Sequence, residues 1–280
     1  MIEQAVFTSA ETDRLAGYQV VATSPGVCEA DKRELAILGP SHGSLIDSGP
    51  EGVSFNFHTL PSGAYCVSRT TMAGGEYSGR GQRVYTQCLI VPHDELARFA
   101  NDPFAVLRAA LAGGMLEVHR HVPDRLEPMQ LLGHSATVDS SLLMRLSRRP
   151  GSGWLATLLQ AALSCPSLAL AGSPEPERLI AGLLNCLPPE CRVHFSFSTG
   201  LRYSPRRPFR IVTLADDPAE WRQAQRRYNA TVLDLSQAPA VEFAPIDGWA
   251  RLIEHVLKTG RTSFLAAQFS KRRFELAPED

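Results

Sequence analysis

Lysine is scarce. Of the 28 lysines and arginines in this 280-residue chain, only Lys32, Lys258 and Lys271 are lysine. None of them follows a glycine, so the Gly-Lys-Ser/Thr phosphate loop is missing and the chain is not itself a P-loop GTPase or ATPase. The six cysteines, Cys28, Cys66, Cys88, Cys165, Cys186 and Cys191, contain no Cys-x-x-Cys pair. Zinc could draw on Cys186, Cys191 and His194 with His119 or His121, but a gap holding Pro188-Pro189 makes a poor knuckle, and no metal is expected. Apolar runs fall short of a membrane span. The start, Met-Ile-Glu-Gln-Ala-Val-Phe, lacks a basic segment followed by an apolar one, so no signal peptide is expected. A net charge of −1 argues against a generic nucleic-acid or anionic-membrane binder. Unpaired cysteines fit a reducing, cytoplasmic location.

What is present is a chain 44% hydrophobic and 20% charged, enough to bury a full core and long enough for two domains. Its most distinctive stretch runs from Met72 to Tyr85 and holds four glycines, two arginines and two tyrosines. Glycine opens backbone conformations that other residues resist, and arginine and tyrosine are favoured for gripping partners. The loop Gly74–Arg83 is therefore expected to be exposed and used for recognition. A second candidate is Arg202-Tyr-Ser-Pro-Arg-Arg-Pro-Phe-Arg210, four arginines crowding a stiff turn between strands. Guanidinium groups so placed can hold a carboxylate or phosphate bidentately; the plainer reading is a solvated hairpin tip.

Periodicity divides the chain. The first half reads as strands at Ala5–Ser9, Tyr18–Ala22, Val53–Thr59, Ala64–Thr70 and Val84–Val91, with helices near Ala30–Leu38, Asp94–Ala100 and Pro103–Ala112. Val53, Phe55 and Phe57 alternate with Ser54, Asn56 and His58, the pattern of a half-buried strand. The second half reads as helices at Ser140–Arg149, Trp154–Cys165, Glu177–Leu187, Pro218–Tyr228 and Gly248–Leu257. Strands are expected through Val193, Phe195 and Phe197, at Phe209–Leu214 and at Thr231–Leu235. The expected class is α+β in two domains, 1–134 and 135–280, each a mostly antiparallel sheet with packed helices. Val53–Thr59 echoes Val193–Thr199, sharing valine, both phenylalanines and threonine; a common period explains this more simply than duplication.

Catalytic patterns are incomplete. Gly39-Pro-Ser-His-Gly43 matches the nucleophile-elbow string, but that elbow joins a strand to a helix, whereas this string follows a helical stretch and contains proline. Cys66 and Cys88 lie on strands and would need a histidine partner brought to them in space.

Several motifs together resemble a known family. Gln4-Ala-Val-Phe-x-Ser, Gly17–Gly26, Leu60-Pro-Ser-Gly-x-Tyr65, Ser68-Arg-Thr70 and Tyr77-Ser-Gly-Arg-Gly81 with Tyr85-Thr look like the N-terminal type-2 domain of bacterial GTPase-associated protein one. Phe195–Leu201 with Arg206–Arg210 looks like that family's middle domain. The resemblance covers residues 1 to about 240, and the family's further C-terminal region is expected to be absent or very short. It implies a non-enzymatic adaptor encoded with a GTPase in a bacterial conflict or defence system, with further effector proteins in reach and no established catalytic residues. The residues expected to bind a partner are Arg69, Tyr77, Arg80, Arg83, Arg202, Tyr203, Arg206, Arg207 and Arg210. No cofactor, nucleic acid or membrane insertion is expected. Two other classes stand beside this reading. One is a hydrolase using Ser41 or a strand cysteine with a histidine. The other is a small-anion or nucleotide sensor with Arg69, Arg80 and Arg83 as its pocket.

Overall fold

Glu3–Glu11 (β1) and Ala16–Thr23 (β2) open an antiparallel sheet in the computed structural model, which describes residues 1–11, 16–47, 49, 51–75, 81–119, 123–236, 248–271 and 277–278. The chain divides into two compact units. The first comprises Met1–Arg98, Pro103–Gly133 and Ser196–Phe209; the second comprises Phe99–Asp102, His134–Phe195 and Arg210–Asp280.

In the first unit, Val53–Thr59 (β3), Tyr65–Gly75 (β4) and Gln82–Val91 (β5) join β1 and β2. Leu168–Ala171 (β6) belongs to the second unit, and Phe197–Ser198 (β7) returns to complete the first. The order is β2-β1-β5-β4-β3-β7, and each neighbouring pair is antiparallel. The two echoing sequence segments meet here: Asn56 pairs with Ser198 and Phe57 with Phe197. Glu29–Leu38 (α1) lies on one face. Its Leu35 packs with Ala5, Cys66, Cys88 and Ile90, and its buried Asp31 accepts the Ser62 N–H at 3.0 Å. His93–Arg98 (α2) follows β5. Pro103–Ala112 (α3) is on the opposite face, where Phe104 stacks on Phe197 at 4.7 Å between ring centroids.

The second unit contains Ser140–Leu146 (α4), Ser152–Ser164 (α5), Pro176–Asn185 (α6) and Pro189–Arg192 (α7). Ile211–Thr213 (β8), Pro218–Tyr228 (α8), Thr231–Asp234 (β9), Gly248–Thr259 (α9) and Thr262–Lys271 (α10) follow. Leu168 of β6 lies opposite both Ile211 and Thr231, and both pairings are parallel. The α+β class therefore stands, and the first unit has the expected antiparallel sheet. The second differs, because helix-containing connections return each strand in the same direction. All four residues of β6 are buried, as a parallel strand covered on both faces requires. Arg192 is fully buried and donates to the carbonyls of Leu187 (3.1 Å), Ala100 (2.9 Å) and Thr137 (2.5 Å). The expected strand through Val193 and Phe195 is not one. Val193 ends α7, and strand pairing is confined to Phe197–Ser198.

Candidate functional site

Alternation along β3 sends Phe55 and Phe57 to one face and Ser54, Asn56 and His58 to the other. The second set was expected to face solvent. Instead Ser54 is fully buried, and Asn56 and His58 are buried beside it. The registers explain why. Asn56 lies opposite Ser68, His58 opposite Cys66, Thr70 opposite Thr86, and Ser68 opposite Cys88. These positions form one continuous polar patch across three central strands and β7.

Asn56 organises the patch. Its Nδ2 donates to Ser68 Oγ and Thr70 Oγ1, both at 3.2 Å, and its Oδ1 accepts from Ser54 and Ser198 hydroxyls at 2.8 Å. All four bonding positions of the amide are thus filled. Thr70 and Thr86 hydroxyls meet at 2.9 Å, and Ser54 Oγ accepts the Gly200 N–H at 2.9 Å.

Above this floor is a shallow cleft open to solvent, with only about 20 Å³ of inner room. Asn56, His58, Cys66, Ser68, Thr86 and Cys88 form its polar side, while Phe7, Leu35, Leu38, Pro40, Leu201 and Phe209 form its apolar walls. That room suits about one water molecule. Gly39 is needed beside it, because a Cβ there would collide with the Phe7 ring.

His58 is the unsatisfied member. Neither Nδ1 nor Nε2 has a hydrogen-bond partner, and its ring meets Phe209 edge-on at 5.9 Å. Burial pushes its pKa down to about 4, so the imidazole is neutral at pH 7. The Cys66 thiol is pushed well upward by its contact with Cys88 and by burial. A neutral thiol facing a neutral imidazole is not the activated thiolate that a cysteine nucleophile requires. Ser41 is exposed in the turn after α1, where its N–H donates to Ser44 Oγ at 2.9 Å, and no strand leads into it. Among the described residues, no group of three or more His, Cys, Asp or Glu is arranged to hold a metal.

The segment from Gly39 to Ile46 starts at the cleft wall, with Gly39 and Pro40, and gathers two of the sequence features. His42 Nδ1 lies 3.4 Å from the Gln82 carbonyl, and Gly81 beside that imidazole has φ +127°, a conformation that favours glycine. Ser44 accepts the Arg202 N–H at 2.8 Å, Leu45 bridges Leu201, and Ile46 donates to Gly200 at 2.9 Å. The base of the glycine-rich loop and the start of the arginine turn are thereby held by one short segment.

The expected binding residues divide accordingly. Tyr77 and Arg80 lie outside the described residues; of the rest of the loop, Gly74, Gly75, Gly81 and Gln82 are exposed and Arg83 is half-buried. Arg69 donates to the Leu116 carbonyl at 2.8 Å and Arg83 to that of Ala73 at 3.3 Å. Arg210 belongs to the second unit, with its guanidinium 4.1 Å over the Phe195 ring and a 2.9 Å bond to Ala162. Arg202 and Arg206 are exposed, and Tyr203 is half-buried. Arg207 donates to the Arg202 carbonyl at 3.0 Å while its Nε is buried without a partner, and burial lowers its pKa. Sequence reasoning missed Asn56, Ser68, Thr70, Thr86 and Ser198. The available signal was hydroxyl and amide residues recurring at every second position of three neighbouring strands.

No curated protein matches the chain. One family does match, over the segment that supplies β1 to β5, α1 and the polar floor of the cleft apart from Ser198: residues 1–129 match the family described as GTPase-associated protein 1, N-terminal domain type 2.

Proposed function

We propose that this protein is an adaptor that binds a GTPase encoded beside it in a bacterial conflict or defence system. The family match over residues 1–129 supports the link to a GTPase. The observation that carries the reading is the shared segment His42–Ile46. His42 and Ser44 hold the base of the glycine-rich loop and the arginine turn on either side of one short segment. Arg202 and Arg206 are exposed there and would meet partner carboxylates, with Tyr203 beside them. Tyr77 and Arg80, which lie outside the described residues, are further partner-binding residues in this reading. Arg69, Arg83, Arg207 and Arg210, each bonded to a backbone carbonyl, shape and stiffen the surfaces around them. The near-neutral chain works in the cytoplasm without nucleic acid, and passes the GTPase signal to further effector proteins. Among the described residues no helix is long and apolar enough to cross a membrane.

The paired substitution Arg202→Glu and Arg206→Glu tests the interface. Calorimetric titration against the neighbouring GTPase, loaded with GDP or GTP, should show binding weakened by about 2 kcal/mol or more. The melting temperature should barely move, since both side chains are exposed. Unchanged affinity in both nucleotide states removes the arginine turn from the interface.

A further inference from the structure

We infer that the second unit carries a docking face for an acidic protein segment, built from Arg145, Arg148, Arg149 and Arg261 around Met144 and Phe264. The inference is independent of the GTPase reading, since none of these residues belongs to the glycine-rich loop or the arginine turn. Ser147 keeps helical angles after α4, so Arg148 and Arg149 stand three and four residues on from Arg145, on one side of the helix. All three are exposed. Met144, one turn before Arg148, reaches the bend between α9 and α10, where a Cβ on Gly260 would lie 3.7 Å from its Cε. Arg261 follows that glycine and is exposed, and its carbonyl accepts the Phe264 N–H at 2.9 Å. Phe264, one turn further on, is 44% exposed.

The positive charge is not balanced by neighbours in the chain. No aspartate or glutamate occurs between Asp139 and Glu175, or between Glu254 and Glu275. Asp139 is engaged in capping α4, where it accepts the Leu142 N–H at 2.9 Å, and Glu254 pairs with Lys258 at 2.7 Å. Among the described residues none of the four arginines forms an ion pair. Like charges at this helical spacing repel one another, and carboxylates of a partner relieve that repulsion. Guanidinium groups take carboxylates in a bidentate grip. Arginine, methionine and phenylalanine are also the residues enriched at protein interfaces. The complement is therefore a protein segment with carboxylates flanking an apolar side chain.

The probe is the fluorescein-labelled peptide Glu-Glu-Leu-Glu-Glu-Phe-Glu-Glu, with its all-glutamine counterpart as control, followed by anisotropy against the full chain. The acidic peptide should bind with a Kd of roughly 10–100 μM at low salt. Raising NaCl to about 300 mM should weaken it severalfold, and the glutamine peptide should not bind. Arg145→Glu with Arg148→Glu should weaken binding at least about tenfold and leave the melting temperature within about 2 °C, because both side chains are exposed. Arg145→Gln with Arg148→Gln introduces no new charge and should weaken it at least about threefold. Arg202→Glu with Arg206→Glu should stay within about twofold of the native protein, which separates this face from the arginine turn. The inference fails if the glutamine peptide binds equally or if neither Arg145/Arg148 pair changes the affinity. Loss of binding through Arg202 and Arg206 instead would move the site to the arginine turn. Tighter binding of a single-stranded oligonucleotide, or of phosphatidylserine vesicles, than of the acidic peptide would also overturn it.

Discussion

His58 places a titratable group where its two protonation states differ most in free energy. In the unfolded chain its pKa returns to 6.5, whereas in the folded protein it is about 4. Between these values the unfolded state binds more protons, so stability rises with pH. The contribution is fully present above about pH 6.5 and is lost as pH falls towards 4, by roughly 3 kcal/mol in total. Urea midpoints measured across pH 4–7 should show this slope, and His58→Phe should flatten it. An unchanged slope in the variant would assign the dependence to other groups. At this scale the sequence was least legible. His58, Ser54 and Asn56 have the polar spacing of a solvent face, and only the register with Ser68, Thr70 and Thr86 shows that they lie inside. Arg192 is a similar case, since nothing in Pro189-Glu-Cys-Arg192 marks a guanidinium that three carbonyls will enclose.

Elements were read more faithfully where periodicity was long. β1 to β5, α1, α3 and α8 fall within a few residues of their sequence positions, because alternation or capping signals fix them. Asp217, for example, caps α8 by accepting the Ala219 N–H at 2.8 Å, with Pro218 at the first turn. The strand β6 went unread, because Leu-Ala-Leu-Ala has no alternation in polarity and resembles the helix before it. β7 was read too long, because Val193 and Phe195 share its period while the first of them closes a helical turn. The pairing of β3 with β7 depends on Gly200. A Cβ at Gly200 would come within 2.5 Å of the Val53 carbonyl oxygen, a backbone atom that cannot swing aside, whereas one at Gly75 would meet nothing within 4 Å. Gly200→Ala should therefore lower stability by about 1–3 kcal/mol in thermal melts. Gly75→Ala should leave it within about 0.5 kcal/mol. Equal effects would show that the Gly200 contact relaxes freely.

For the whole chain, composition and pattern indicated the α+β class, and the motifs indicated the family of the N-terminal segment. They could not indicate that Ser196–Phe209 belongs to the same unit as Met1–Arg98, since that depends on pairing across the length of the chain. The matched family segment ends at residue 129, yet β7, Leu201 and Phe209 are needed to pair β3 and to wall the cleft. A fragment of residues 1–134 should consequently expose the edge of β3 and the Phe57 and Phe104 rings that meet Phe197. It should bind the dye ANS and aggregate at concentrations where the full chain does neither, and a soluble, dye-silent fragment would show that β7 is dispensable. This arrangement also sets a timetable for synthesis. Asn56 and Ser198, which share a hydrogen bond, are separated by 142 positions. A ribosome adding roughly 5–20 residues per second needs on the order of ten seconds to span them. Through that interval the nascent chain carries an unfinished sheet edge, so slowing translation downstream of β3 should lengthen its dependence on chaperones.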